Sequence, residues 1–249
     1  MQVNWKPHAR SYLLFIGDFE KGDLSGWSVS GNAPQVTTEI VRSGKYAMKS
    51  VLDRWHSKVS YRTEVSGPGS EVGKEYWYGF SIYLPKDYKP DKIWEIVAQW
   101  HGVPDFNIGE TWRNPVMALM TTGGVWSLSN IWDAKRNTFA SGKRVYGGGH
   151  KYDLGPYQTG VWTDWVFHVK WSYRKDGLLE VWKNGKLVVQ QHGPNCFNDA
   201  KGPYFKMGIY KGWRDPKRSC DAVTRRVLYH DEFRMGDAEA RYEDVAPGK

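Results

Sequence analysis

Three short stretches carry side chains that together can hold a carboxylate and move a proton. Tyr204-Phe205-Lys206-Met207-Gly208-Ile209-Tyr210 alternates with the two-residue period of a strand. Tyr204, Lys206, Gly208 and Tyr210 then share one face, and Phe205, Met207 and Ile209 form an apolar stripe on the other. An ammonium between two phenols suits an anion with a weak acid beside it, and Gly208 leaves clearance for something lying against the sheet. In HSKVSYRTEV, the residues His56, Lys58, Ser60, Arg62 and Glu64 share a polar face. In WEIVAQWH, Gln99 and His101 sit two apart, on the face that strict alternation also gives to Glu95 and Val97.

An Arg or Lys with an amide can grip and neutralise a carboxylate, and a His and a Tyr can transfer protons. That set fits β-elimination from a uronic acid. Neutralising the C6 carboxylate acidifies the C5 proton, a base removes it, and an acid protonates the departing O4. A phenol ionises at about pH 10 in water, so acting as a base requires a neighbouring cation; Arg62 or Lys206 meets that need. Glycoside hydrolysis would ask instead for two carboxylates straddling the bond, which WEIVAQWH does not offer. A carbohydrate-binding surface without catalysis would use the same sheet and rings, but would not need Tyr210, Gln99 and a His to converge.

The elements that must position these residues are strands. Short alternating runs recur between Gly, Pro, Asn and Asp clusters, without long helical periodicity, which predicts an all-β sandwich or jelly roll. No linker, low-complexity segment or repeat divides the chain, so residues 1–249 read as one domain. Ala47 to Val65 reads as a strand pair or one bent strand, and Asn184-Gly185 as the turn of a hairpin. Asp133 to Pro156 reads as the longest irregular stretch, basic and glycine-rich, a composition that suits a flap over a polymer or equally a mobile solvated loop; it contains Lys143, Arg144 and His150.

Composition narrows the partners. Thirty-five Lys and Arg against 27 Asp and Glu leave a net charge of +8, which favours a polyanion. The basic residues are scattered, without helix-turn-helix or zinc-finger spacing, which argues against nucleic acid. No apolar run approaches the roughly 18 residues of a membrane span. The first residues lack a signal-peptide pattern, yet 14 Trp, 15 Tyr and 27 Gly suit a secreted protein. Cys196 and Cys220 are an even pair, open to a disulfide or two thiols. Asp18, Glu20 and Asp23 crowd one turn, either an acidic turn in water or enough for a hard cation such as calcium, and Asp231 and Glu232 in a late strand add ligands if the terminal strands pair.

YRTEV, QWH and YFKMGIY resemble the three strand motifs of jelly-roll alginate lyases. The wider chain, through WYGFSIYLPKDY, EIVAQWHG, WVFHVKWS, LEVWKNGK and YFKMGIYKGW, is more similar to the glucuronan lyases of polysaccharide lyase family 20 and their heparin lyase I-like relatives. The resemblance implies two antiparallel sheets with a concave substrate cleft, and endo-acting cleavage of β-1,4-linked glucuronate; alginate and heparin-type polymers are the alternatives. It further implies that Arg62, Gln99 and Lys206 hold the carboxylate, and that Tyr210 moves the proton with His56 or His101. Tyr204, Lys58, Arg113, Lys143, Arg144 and His150 are expected to contact the sugar chain. No cofactor is expected for the chemistry; a structural calcium at Glu20 and Asp231 is, in a monomeric enzyme.

Overall fold

The computed structural model describes residues 12–55, 61–138, 145–213 and 223–248. Two antiparallel sheets face each other. The outer sheet runs in the order β13 (Lys186–His192), β12 (Leu178–Lys183), β11 (Trp162–Lys170), β6 (Glu75–Tyr83), β15 (Arg225–Gly236), β4 (Ala47–Asp53) and β3 (Gln35–Thr37), with β1 (Leu13–Gly17) also paired to β15. The other sheet runs β10 (Gly148–Pro156), β9 (Val125–Trp132), β8 (Met117–Thr122), β7 (Glu95–His101), β14 (Tyr204–Lys211), β5 (Arg62–Gly69) and β2 (Ser28–Gly31). All three chemistry-bearing stretches therefore lie on adjacent strands of one sheet, with β14 between β7 and β5. Among the described residues no helix is long and apolar enough to cross a membrane.

The expected all-β sandwich is what forms, and the stretch from Ala47 to Val65 proves to be two strands, β4 in one sheet and β5 in the other. Asn184 and Gly185 take φ values of 50° and 78°, the paired positive values of a tight hairpin turn. The segment expected to be irregular after Asp133 is partly a strand. β10 pairs with β9 from Gly148 to Pro156, and its exposed His150 and Lys151 lie on an edge where charged side chains discourage further pairing.

The apolar stripe of β14 builds the core between the sheets. Phe205 is fully buried and stacks on Phe233 at 4.5 Å, meets Trp100 edge-on at 5.1 Å and lies 5.4 Å from Phe80. Burying one such ring is worth roughly 1.5–3 kcal/mol, and the same packing fixes which face of β14 turns outward. The far ends of β14 and β7 are tied down by buried charges. Lys211 Nζ pairs with Asp91 at 2.7 Å and donates to the Ile93 carbonyl, and Arg226 pairs with Glu95 at 2.8 Å.

Gly208 is required by the chain itself. Its φ is +138°, and a Cβ there would collide with the Thr63 carbonyl oxygen and the Glu64 backbone on β5. The clearance expected for a sugar ring is thus set by how closely two strands approach. Gly208→Ala should cost about 1–3 kcal/mol in stability, read as a lower denaturant midpoint with an unchanged m-value; an unchanged midpoint would show that β5 and β14 separate at no cost.

Candidate active site

A cleft of about 970 Å³ lies over the outward face of β5, β14, β7, β8 and β9. Residues opposite one another in an antiparallel pair share a face, so the register gives the layout. Tyr210 is opposite Arg62, Lys206 is opposite both Ser66 and Gln99, and Tyr204 is opposite His101. Arg62, Gln99, His101, Tyr204, Lys206 and Tyr210 all line the cleft. The structure brings these six expected residues together.

Strict alternation fails at one point on β7. The ladders to β8 and β14 both shift register near Val97, the mark of a β-bulge. Below the bulge the faces exchange. Trp94 and Ile96 line the cleft, whereas Glu95 and Val97 are buried on the inner side. The bulge thereby puts the Trp94 ring beside Tyr210, edge-on at 5.1 Å. Nothing in the local sequence distinguishes a bulged strand from a regular one here, so Trp94 is a site residue that sequence reasoning missed.

The centre of the site is a buried carboxylate. Glu64 is 1% exposed. It accepts a hydrogen bond from Lys206 Nζ at 2.7 Å and another from Gln99 Nε2, and Arg62 Nε stands 4.0 Å away. Read from sequence, Glu64 was a neighbour of Arg62 on one strand; its principal partners come from the two strands beyond. It orients the ammonium and the amide and cancels one of the two positive charges, so Arg62 and Lys206 together leave the floor with a net positive charge. Gln99 Oε1 is buried and has no hydrogen-bond partner among the described residues. The Arg62 guanidinium lies 4.3 Å from the centroid of the Tyr210 ring, a cation over an aromatic face.

His101 stands apart from that pair. Its partner Tyr204 is six residues along β14 from Tyr210, on the order of 20 Å at the rise of a strand. Its Nδ1 lies 2.9 Å from the Gly102 carbonyl, which fixes the tautomer with Nε2 as the acceptor. Burial pulls the imidazole down to about 4, with the positive charges of Lys206, Arg62 and Arg113 adding to the effect. It is neutral at neutral pH. Tyr204, by contrast, is pushed up by burial and stays a phenol.

Arg113 also lines the cleft wall, with its guanidinium 2% exposed and bonded to Glu110 at 2.8 Å and Asp199 at 2.5 Å. His150 is opposite Asn130, whose other neighbour Met117 is a core residue, so it lies on the face turned from the cleft. Its companion Lys151 is opposite the cleft-lining Ser129 instead. His56, Lys58, Lys143, Arg144 and Cys220 lie outside the described residues; Cys196 is a buried thiol.

Glu20 and Asp231 meet the same loop from two sides. Glu20 accepts the backbone N–H groups of Lys45 and Tyr46, and Asp231 those of Arg42 and Ser43. Burial pushes the Asp231 carboxyl up to about 7. Among the described residues, one group of three acidic side chains has ligating atoms within 4.8 Å of one another, and it is a different one: Asp105, Glu110 and Asp199. Glu110 and Asp199 hold the Arg113 guanidinium, and Asp105 pairs with Arg136.

Replacing Glu64 should separate its two duties. Glu64→Ala leaves a buried ammonium unpaired, at a cost of about 3–5 kcal/mol, read as a large fall in Tm. Glu64→Gln keeps the shape and should fold better while losing most turnover, because Lys206 and Gln99 lose their fixed aim. Wild-type kinetics in a folded Glu64→Gln would remove this carboxylate from the site's organisation.

The comparisons with known proteins agree with this geometry. The fold is similar to endo-β-1,4-glucuronan lyase from the fungus Trichoderma reesei, at 20% identity and a TM-score of 0.81 over 95% of this chain and 99% of that one. It is also similar to alginate lyase vAL-1 from Chlorella virus, at 16% identity and a TM-score of 0.56 over 90% and 99%. The cellulose-induced protein Cip1 matches at 17% identity and a TM-score of 0.55 over 91% and 98%. These identities show a shared fold. No curated protein sequence matches the chain. The polysaccharide lyase family model, however, matches residues 19–234, a span that contains every strand flooring the cleft. By that match the chain belongs to the polysaccharide lyase family and is an enzyme of that kind.

Proposed function

We propose that this lyase cleaves β-1,4-linked glucuronate within the polymer by β-elimination, leaving an unsaturated uronate at one new end. The observation that carries the reading is Tyr210 under the Arg62 guanidinium, four residues along β14 from a Glu64-held Lys206, with Gln99 opposite that lysine on β7. Arg62, Lys206 and Gln99 bind the C6 carboxylate and favour the charge that develops on it as C5 loses its proton. In β-1,4-glucuronate, H5 and O4 lie on the same side of the ring. Tyr210, as phenolate, takes the C5 proton; the C5–H electrons form the C4–C5 double bond; the C4–O4 bond breaks, and the same phenol returns its proton to O4. His56 or His101 is the assisting group in the expectation from sequence. The distance of His101 from Tyr210 along β14 gives it the binding of a neighbouring sugar.

An acidic polymer as substrate fits an enzyme that works outside the cell, and we read it as a monomer. Calcium has no step in the chemistry. Glu20 and Asp231, which grip the 42–46 loop from separate segments, would supply two of the several oxygens that calcium takes, and an ion there would neutralise the buried Asp231 and secure the loop to the last strand.

Absorbance of the conjugated uronate, followed against glucuronan, alginate and heparin, tests the substrate. A rise with glucuronan is expected. A rise with alginate or heparin alone would move the enzyme to that polymer, and affinity without any rise would make it a binding module. Tyr210→Phe should lower kcat by at least about a hundredfold, the lower range for general acid–base catalysis, with KM little changed; near-normal turnover would take Tyr210 out of the proton path. The pH profile tests His101. Its imidazole gains a proton only as pH falls towards 4, so kcat/KM should show no limb from this residue near the usual histidine value of about 6.5. A limb there that vanished in His101→Gln would return His101 to the proton transfer.

A further inference from the structure

The loop from Asp105 to Arg113, directly after β7, carries two large rings into solvent. Phe106 is 57% exposed and Trp112 is 52% exposed. Their centroids are 5.6 Å apart with the planes at 74°. Trp112 is 5.5 Å from His101, which is 5.9 Å from Tyr204. The four rings make a path that starts on the cleft floor and leaves it at the end away from Tyr210.

The loop that carries these rings is held by buried charges. Glu110 accepts the Asp105 backbone N–H at 2.9 Å and the Arg113 guanidinium at 2.8 Å. Arg113 also bonds Asp199 and lies 4.3 Å over the Phe197 ring, and Arg136 pairs with Asp105 at 3.0 Å. Removing three carboxylates and a guanidinium from water is costly even when they are paired. Such a network under a surface loop has a reason if the loop must hold a fixed shape, and what it holds in place is the pair of rings.

We infer that Phe106 and Trp112 form a sugar-stacking subsite that receives the polyuronate several residues away from the bond that breaks. The inference rests on the reading of the cleft as a polyuronate lyase site and narrows its substrate. In β-1,4-glucuronate every ring substituent is equatorial, so both faces of the sugar present only axial C–H groups, which lie well on an aromatic face. Mannuronate turns its O2 axial and spoils one face. Guluronate is linked through axial bonds, which kink the chain and turn its sugar faces away from successive rings. The subsite therefore favours glucuronate, and it favours chains long enough to reach from Tyr210 to the loop.

The test uses the full chain with Phe106→Ala, Trp112→Leu and Trp112→Phe, and Leu187→Ala, an exposed site on the other sheet, as control. Each is assayed on long glucuronan and on its trisaccharide. Trp112→Leu should raise KM for the polymer about tenfold, the worth of one stacked ring, with a much smaller rise for the trisaccharide. Phe106→Ala should act in the same sense, and Trp112→Phe should restore most of the loss. Equal rises on both substrates, or none on the polymer, would overturn the subsite. Calorimetric titration of glucuronan onto the same variants separates this inference from the reaction. Wild-type binding without elimination, weakened in Trp112→Leu, would keep the subsite and defeat the lyase reading of the substrate; wild type that neither cleaves nor binds glucuronan would defeat both.

Discussion

The Glu64 carboxylate is the interaction on which the site depends. It is buried beneath a surface designed to attract anions, which is tolerable only because Lys206 and Gln99 satisfy it at close range. Each partner belongs to a different strand, so the bond network works as a staple across β5, β14 and β7. Without it, two cations would face each other across the floor and the amide would have no fixed direction. The same carboxylate that lowers the net charge of the cleft thus keeps the remaining charge where a uronate can use it.

The rest of the molecule supports that staple from below and from the ends. Phe205 and its ring neighbours hold β14 against the outer sheet. The Lys211, Asp91, Arg226 and Glu95 charges close one end of the same strands. At the other end the Arg113 network fixes the loop that follows β7. Every group placed in the chemistry is therefore carried on a strand, where backbone geometry is set by neighbours on both sides.

Much of this was legible in the sequence because strand parity is a strong rule where one face is buried. Alternation put Lys206 with Tyr210 on one face and gave Arg62 and Gln99 to the polar faces of their own strands, the family resemblance implied that they act together, and the register brings them together. Alternation says nothing about a bulge, so Trp94 was placed on the wrong side of β7 and Glu95 was given to the cleft. Nor does parity tell which charges find partners. Arg113 is expected to contact substrate because its type suits one, and its partners Glu110 and Asp199 come from its own loop and from a segment 86 residues away. His150 was assigned to a flap, whereas the segment forms an edge strand with that side chain on the inner face. Gly208 was correctly singled out, though for the sugar and not for the strand beside it.

The central place of β14 has a mechanical consequence. A strand hydrogen-bonded on both edges, with Phe205 locked below it, belongs to the most protected part of a fold, where opening requires near-global unfolding. The floor that carries Lys206 and Tyr210 thus has no inexpensive way to breathe. Motion needed to admit and release a sugar chain therefore falls to the loops around the floor and to the chain itself.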